Sequence, residues 1–198
     1  MRVRKLGPGD YREMPWKNGG GSTTELLIEP PGATLAEGFL WRLSMAAVAD
    51  SGPFSRFPGV DRTLLLLAGN GLELDHGPHG RAWLRGPLEP VAFAGEWDTQ
   101  GRLLDGPCRD FNVMSDRARV RHQVRILRPG PQAVPLPAAP TLLVYCAVGE
   151  AELTGGAEWP GERIRAGELL RIDDAQTAGL RVAAASSAAL VLAELHPR

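Results

Sequence analysis

What most constrains this chain is an order of segments that occurs twice, offset by roughly 80 residues; an internal repeat of this kind is read before anything else because it dictates the architecture. The first copy runs Leu64-Leu65-Leu66-Leu67-Ala68-Gly69-Asn70-Gly71-Leu72-Glu73-Leu74, then Arg85-Gly86-Pro87-Leu88, then Asp110-Phe111-Asn112-Val113-Met114. The second runs Leu142-Leu143-Val144-Tyr145-Cys146-Ala147-Val148-Gly149-Glu150-Ala151-Glu152-Leu153, then Arg165-Ala166-Gly167-Glu168-Leu169, then Ala189-Leu190-Val191-Leu192-Ala193-Glu194-Leu195. Each copy reads apolar strand, glycine turn, alternating strand, glycine-marked return, final apolar strand. That order suits a small antiparallel barrel or jelly roll. The expectation is an all-β protein with very little helix, in two lobes, residues 1–118 and 119–198.

Elsewhere the periodicity is mostly two. Trp41-Arg42-Leu43-Ser44-Met45-Ala46 puts Trp41, Leu43 and Met45 on one face and Arg42, Ser44 and Ala46 on the other. Val120–Leu127 alternates likewise, with Arg121, Gln123 and Arg125 opposite Val120, His122, Val124 and Ile126. Asn70-Gly71 is a hairpin signal. Pro8 to Met14 offers a helical turn or two with Asp10 as a cap. The Ala-rich tail, Ala183–Leu195, favours helix on propensity, but the repeat makes it a strand. The proline-rich piece Pro129–Pro140 is expected as a surface loop.

Composition agrees. The 198 residues are 43% hydrophobic, enough for a substantial interior. The 24 glycines and 17 prolines exceed the roughly 12% that average usage gives the pair, as a fold of short strands and tight turns requires. With 22 Lys plus Arg against 23 Asp plus Glu, the net charge of -1 lacks the basic excess of a nucleic-acid binder. Two distant cysteines, Cys108 and Cys146, make neither a disulfide framework nor a zinc spacing. The basic start Met1-Arg2-Val3-Arg4-Lys5-Leu6 leads into no apolar signal core, and no run approaches ~20 apolar residues. A cytoplasmic location is expected, with no membrane or nucleic-acid partner.

Three segments carry possible chemistry. In Pro15-Trp16-Lys17-Asn18-Gly19-Gly20-Gly21-Ser22-Thr23-Thr24-Glu25 the glycines free backbone N–H groups to face an oxygen anion, while Lys17, Asn18, Thr23 and Glu25 supply donors and an acceptor. The plain alternative is a turn into the first strand; no nucleotide-loop pattern is present. In Gly52-Pro53-Phe54-Ser55-Arg56-Phe57-Pro58-Gly59-Val60-Asp61-Arg62, the two phenylalanines read as plugs under a loop. Arg62 at a strand mouth suits bidentate carboxylate binding, against the alternative of an ion pair with Asp61. In Asp110–Met114, Phe111 and Val113 fill an apolar layer, and Asp110 and Asn112 point the other way, into a barrel or into water.

The histidines argue against a metal. A metal-binding barrel of this class needs two His one residue apart, an acidic residue soon after and a third His on a later strand. Here Asp75-His76-Gly77-Pro78-His79 is a turn, His122 stands alone on an apolar face and His196 is terminal. Ser51, Ser55 and Ser115 fit no nucleophile elbow, and Cys108 has no partner base in view. No metal and no cofactor are expected.

Read together, Trp16–Gly21 with Thr23 and Glu25, Trp41–Ala46, Gly52–Arg62 and Asp110–Met114 closely resemble the HutD/Ves family, over most of residues 11 to 115. The second half matches mainly in strand rhythm. The resemblance implies a bicupin fold without the usual metal ligands. It implies a regulatory or ligand-binding accessory protein of bacterial histidine utilisation, or, on the Ves branch, a stress-response protein. It further implies a small carboxylate ligand such as formate, formylglutamate or urocanate, in a pocket lined by Lys17, Asn18, Thr23, Glu25, Arg42, Ser44, Arg62, Asp110 and Asn112.

The leading expectation is thus a binding protein whose partner is a small anionic metabolite. A rival is a metal-independent isomerase or hydrolase with Glu25 and Asp110 as acid and base. A third class is a structural module with a filled first barrel. Fold analogy points to a homodimer.

Overall fold

The computed structural model describes residues 1–16, 20–155, 159–175 and 179–198. Its strands run β1 (Arg2–Leu6), β2 (Arg12–Pro15), β3 (Gly21–Glu29), β4 (Trp41–Val48), β5 (Gly52–Pro53), β6 (Val60–Ala68), β7 (Leu72–Asp75), β8 (Arg81–Leu84), β9 (Val91–Ala94) and β10 (Gln100–Leu103). They continue with β11 (Cys108–Asp116), β12 (Val120–Leu127), β13 (Val134–Pro135), β14 (Thr141–Val148), β15 (Glu150–Thr154), β16 (Glu162–Arg165), β17 (Leu169–Asp173), β18 (Arg181–Ala183) and β19 (Ala189–Pro197). Two three-residue 3-10 turns, Pro8–Asp10 and Gly77–His79, are the helical elements among the described residues. The fold is all-β, and no described helix is long and apolar enough to cross a membrane.

The chain forms two compact units, residues 11–120 and residues 1–10 with 121–198. In the first, a six-stranded sheet ordered β2-β3-β4-β11-β6-β9 faces a four-stranded sheet ordered β5-β10-β7-β8. Leu64, Leu66 and Phe93 from the larger sheet pack with Leu72, Leu74 and Leu84 from the smaller. In the second, a sheet ordered β1-β17-β14-β19-β12 faces one ordered β13-β18-β15-β16. There Leu142, Val144, Leu190 and Leu192 meet Ala151, Leu153, Ile164 and Val182. The sequence repeat is therefore a repeat of topology. β4-β11-β6-β9 answers to β12-β19-β14-β17, and β5-β10-β7-β8 to β13-β18-β15-β16.

Four details differ from the sequence reading. Residues 1–10, expected in the N-terminal lobe, lie with the second unit, because β1 pairs along its whole length with β17. Pro8–Met14 does not continue as helix: Asp10 Oδ2 accepts from the Gly7 N–H at 2.8 Å, and β2 begins at Arg12. Asn70-Gly71 closes no hairpin, since β6 and β7 belong to different sheets. The turn instead carries the chain across the barrel, and Gly69 (φ +106°) is required there, because a Cβ would stand 2.6 Å from Cys108 Cβ. Gly149 (φ +70°) makes the corresponding crossing in the second unit, where a Cβ would stand 2.2 Å from the Ser187 carbonyl oxygen. The proline-rich piece is loop apart from the two-residue β13. The tail is strand, as the repeat requires, and β19 is its last element.

Candidate functional site in the first barrel

Antiparallel register decides what shares the inner face of the six-stranded sheet. Along β4 and β11, Arg42 stands opposite Met114, Ser44 opposite Asn112 and Ala46 opposite Asp110. Across to β6, Met114 meets Arg62, Asn112 meets Leu64 and Asp110 meets Leu66. On the other side Thr23 pairs with Ala46 and Glu25 with Ser44, and a bulge between Glu25 and Leu27 brings Ile28 opposite Arg42. Since side chains alternate with period two, these residues form three rows. One holds Ile28, Arg42, Met114, Arg62 and Phe93; the next Glu25, Ser44, Asn112 and Leu64; the third Thr23, Ala46, Asp110 and Leu66. Leu64, Leu66 and Phe93 belong to the core between the two sheets, so the polar residues of these rows point into the barrel and not into water.

Arg62 is 5% exposed. Its Cζ lies 4.9 Å from the Phe93 ring centre, 5.4 Å from that of Phe54 and 5.5 Å from that of Phe57, a three-sided cation–π cage. Nη1 donates to the Ser55 carbonyl at 3.3 Å, and Nε has no partner. Burial pulls this guanidinium down to about 10, against a raising effect of Asp110 and with a further lowering effect of Arg42. It stays charged at neutral pH. The sequence alternative of an Asp61 ion pair is not what forms: Asp61 Oδ1 instead accepts from Arg117 Nε at 2.6 Å.

Arg42 is equally buried. Its Nε donates to Glu25 Oε2 at 2.6 Å and its Nη1 to Ser44 Oγ at 3.1 Å, while Nη2 has no partner. Asn112 Oδ1 is also buried and unpaired. Buried polar atoms are ordinarily hydrogen-bonded, and each exception asks for an explanation. Of the four buried side-chain atoms without a hydrogen bond among the described residues, three lie on this one face, and the fourth, Glu194 Oε1, has Arg125 Nε at 2.7 Å. Asp110, 3% exposed, has its pKa pushed up to about 7 by burial, offset in part by Arg62 and by a backbone hydrogen bond from Ala46. At neutral pH it is poised between acid and carboxylate. The face thus offers two N–H donors on cations, an amide, and a carboxyl group able to give or take a proton.

Of the nine residues named from the sequence, Glu25, Arg42, Ser44, Arg62, Asp110, Asn112 and Thr23 come together here, the last with its Oγ1 accepting from Trp16 Nε1 at 2.8 Å. Lys17 and Asn18 lie outside the described residues. The end of the glycine run has a structural role, because a Cβ on Gly21 would stand 2.2 Å from the Ala47 carbonyl oxygen. Phe93 was not singled out from the sequence, since nothing in Val91–Ala94 marks it from any other apolar position. His76 lies in a sequence that reads as a turn, yet it is buried. Its Nδ1 is 2.8 Å from Thr99 Oγ1 and its ring is 4.9 Å from Phe93, and burial lowers its pKa. Among the described residues no three His, Cys, Asp or Glu side chains converge as a metal set. Two guanidiniums, those of Arg42 and Arg62, stand on the barrel's inner face.

The chain is similar in sequence and in fold to known proteins. An uncharacterized 21.2 kDa protein in the hutC 3' region of Pseudomonas putida is 40% identical over 125 residues, 63% of this chain and 64% of that one. The protein Ves of Cronobacter sakazakii is 40% identical over 121 residues, 59% of this chain and 64% of that one. The chain therefore spans a little under two thirds of the length of the curated relatives it matches. The structure of HutD from Pseudomonas fluorescens SBW25, determined in a formate condition, superposes with a TM-score of 0.83 at 32% identity, covering 100% of both chains. The oxalate decarboxylase of Lactobacillus farciminis in its formate complex superposes with a TM-score of 0.68 at 11% identity, over 98% of this chain and 86% of that one, and shares the fold alone. The HutD family model matches residues 9–191, nearly the whole of both barrels, and the chain belongs to the HutD family.

Proposed function

We propose that this protein binds a small carboxylate inside its first barrel, as an accessory or regulatory protein linked to histidine utilisation. The observation that carries the reading is Arg62: a caged, desolvated cation with an unpaired Nε, beside the unpaired Arg42 Nη2 and Asn112 Oδ1. A carboxylate seated there satisfies both donors, each charge-assisted bond contributing about 1.5–3 kcal/mol. Glu25 holds Arg42 in place. The hutC-region relative and the HutD structure obtained with formate support formate, formylglutamate or urocanate as the ligands to try first. Crystals grown with each of these test the reading. Density for the carboxylate against Arg62 Nε supports it; ligand-free barrels at saturating concentrations of all three contradict it.

One observation favours a second reading. A buried carboxyl titrating near 7 is the property of a general acid or base. On that reading Asp110 moves a proton on a bound carboxylate substrate, with no metal. Turnover of formylglutamate or urocanate by the purified protein, lost in Asp110→Asn, supports it.

A further inference from the structure

An open groove of about 290 Å³ in unit 11–120 is lined by Leu35, Phe39, Arg56, Phe57, Val60 and Arg119, among others. Its floor is apolar. Phe39, Met114 and Ile28 form a buried cluster against which Phe57 and Val60 pack. Met114 is also the residue that register places between Arg42 and Arg62. Met114 thus belongs both to the cluster under the groove and to the row that holds the two guanidiniums whose Nη2 and Nε are unpaired. Phe57 belongs to both sides: it lines the groove, and its ring centre is 5.5 Å from Arg62 Cζ.

The main chain at Phe57 is fixed. Its N–H donates to the Gly95 carbonyl at 2.7 Å, and its own carbonyl accepts from Val60 N–H at 3.2 Å. Neither bond involves the half-buried ring, so a change of its rotamer would break neither. The charged groups on the rim leave one net positive charge. Arg56 and Arg119 are both exposed there, and the rim carboxylate Asp116 is engaged by Arg119 at 2.6 Å. Such a rim draws anions toward the groove.

We propose that this groove is the route by which a carboxylate reaches Arg62, and that the Phe57 ring sets how large a carboxylate passes and fits. The proposal rests on the binding site proposed above and adds its entrance and its size selectivity.

The test compares the full chain with Phe57→Ala, Phe57→Leu, the double variant Arg56→Gln/Arg119→Gln, and Arg62→Ala. The probes are formate, propionate and benzoate, with calorimetric affinities and stopped-flow rates. Phe57→Ala is expected to shift the benzoate-to-formate affinity ratio toward benzoate by about tenfold, the scale of discrimination by pocket size, and to speed benzoate association. Phe57→Leu moves both less. The double arginine variant slows association and flattens its salt dependence while dissociation stays as in the wild type. A ratio measured on one preparation does not depend on the fraction folded, so loss of stability in a variant does not imitate the effect. An unchanged ratio and unchanged rates in Phe57→Ala, with binding abolished in Arg62→Ala, remove the gate and leave the site standing. Wild-type affinity for all three probes in Arg62→Ala, or no binding of any probe to the wild type, removes the site and the gate together.

Discussion

Arg62 and Asp110 face one barrel interior from neighbouring strands, and burial outweighs their mutual attraction on both: it brings the guanidinium down to about 10 and the carboxyl up to about 7. Charges left so in a folded protein cost stability. An oppositely charged or hydrogen-bonding ligand lowers that cost, which is the physical basis of the proposed function.

The first prediction concerns Asp110 and pH. Its folded-state pKa stands above its ordinary 3.8, so the folded protein holds this proton more tightly than the unfolded chain. Below pH 4 both states are protonated and the group contributes no penalty. As pH rises from about 4 to about 7 ionisation sets in first in the unfolded chain, and stability falls by up to about 4 kcal/mol. Asp110→Asn removes this slope. Urea denaturation is expected to show the variant close to wild type at pH 4.5 and more stable at pH 8. The difference cancels other carboxylates such as Glu96 and Asp116, whose pKa values are lowered and whose contributions run the opposite way. A gap that does not change with pH contradicts the account.

Arg62→Met gives the second. Combined with Asp110→Asn, an apolar side chain of similar volume in the phenylalanine cage removes both buried charges, and replacing a buried pair in this way is neutral or stabilises by about 1–4 kcal/mol. The ligand-free double variant should melt at or above the wild-type temperature while losing carboxylate binding. A double variant that melts well below wild type assigns Arg62 a structural role instead.

A third prediction tests the duplicated topology. Gly69→Ala and Gly149→Ala each put a Cβ at positive φ against packed chain, and each should cost about 1–3 kcal/mol. The repeat also aligns Asn112 of the first barrel with Leu192 of the second, where the interior is a continuous apolar core. Leu192→Asn should therefore cost about 3 kcal/mol or more in thermal denaturation, although an amide is native at Asn112. Tolerance of Leu192→Asn contradicts the equivalence drawn between the two barrels.

Much of this site could be read from the chain because strand alternation is a local signal. Arg42 and Ser44 fall on one face of β4 and Asp110 and Asn112 on one face of β11 from spacing alone. What spacing does not give is which face is inward, and here both faces are buried: Phe111 and Val113 are as inaccessible as Asn112 and Asp110 are nearly so. Long-range pairing was equally out of reach. β1 joins β17 from the far end of the chain, and Asn70-Gly71 carries a hairpin signature at a turn that separates two sheets. Phe93 and His76 were missed because their roles come from neighbours: Phe93 stands opposite Arg62 only through the β6–β9 register, and His76 is buried by Phe93, Trp97 and Thr99.

The most direct measurement is a calorimetric titration of the wild type and Arg62→Ala with formate, formylglutamate and urocanate at one pH and salt concentration. The account predicts that at least one of the three binds the wild type, and that the variant, folded by circular dichroism, binds it about tenfold more weakly or worse, the loss of one charge-assisted bond. Equal affinity in the two proteins would contradict it and take Arg62 out of any site.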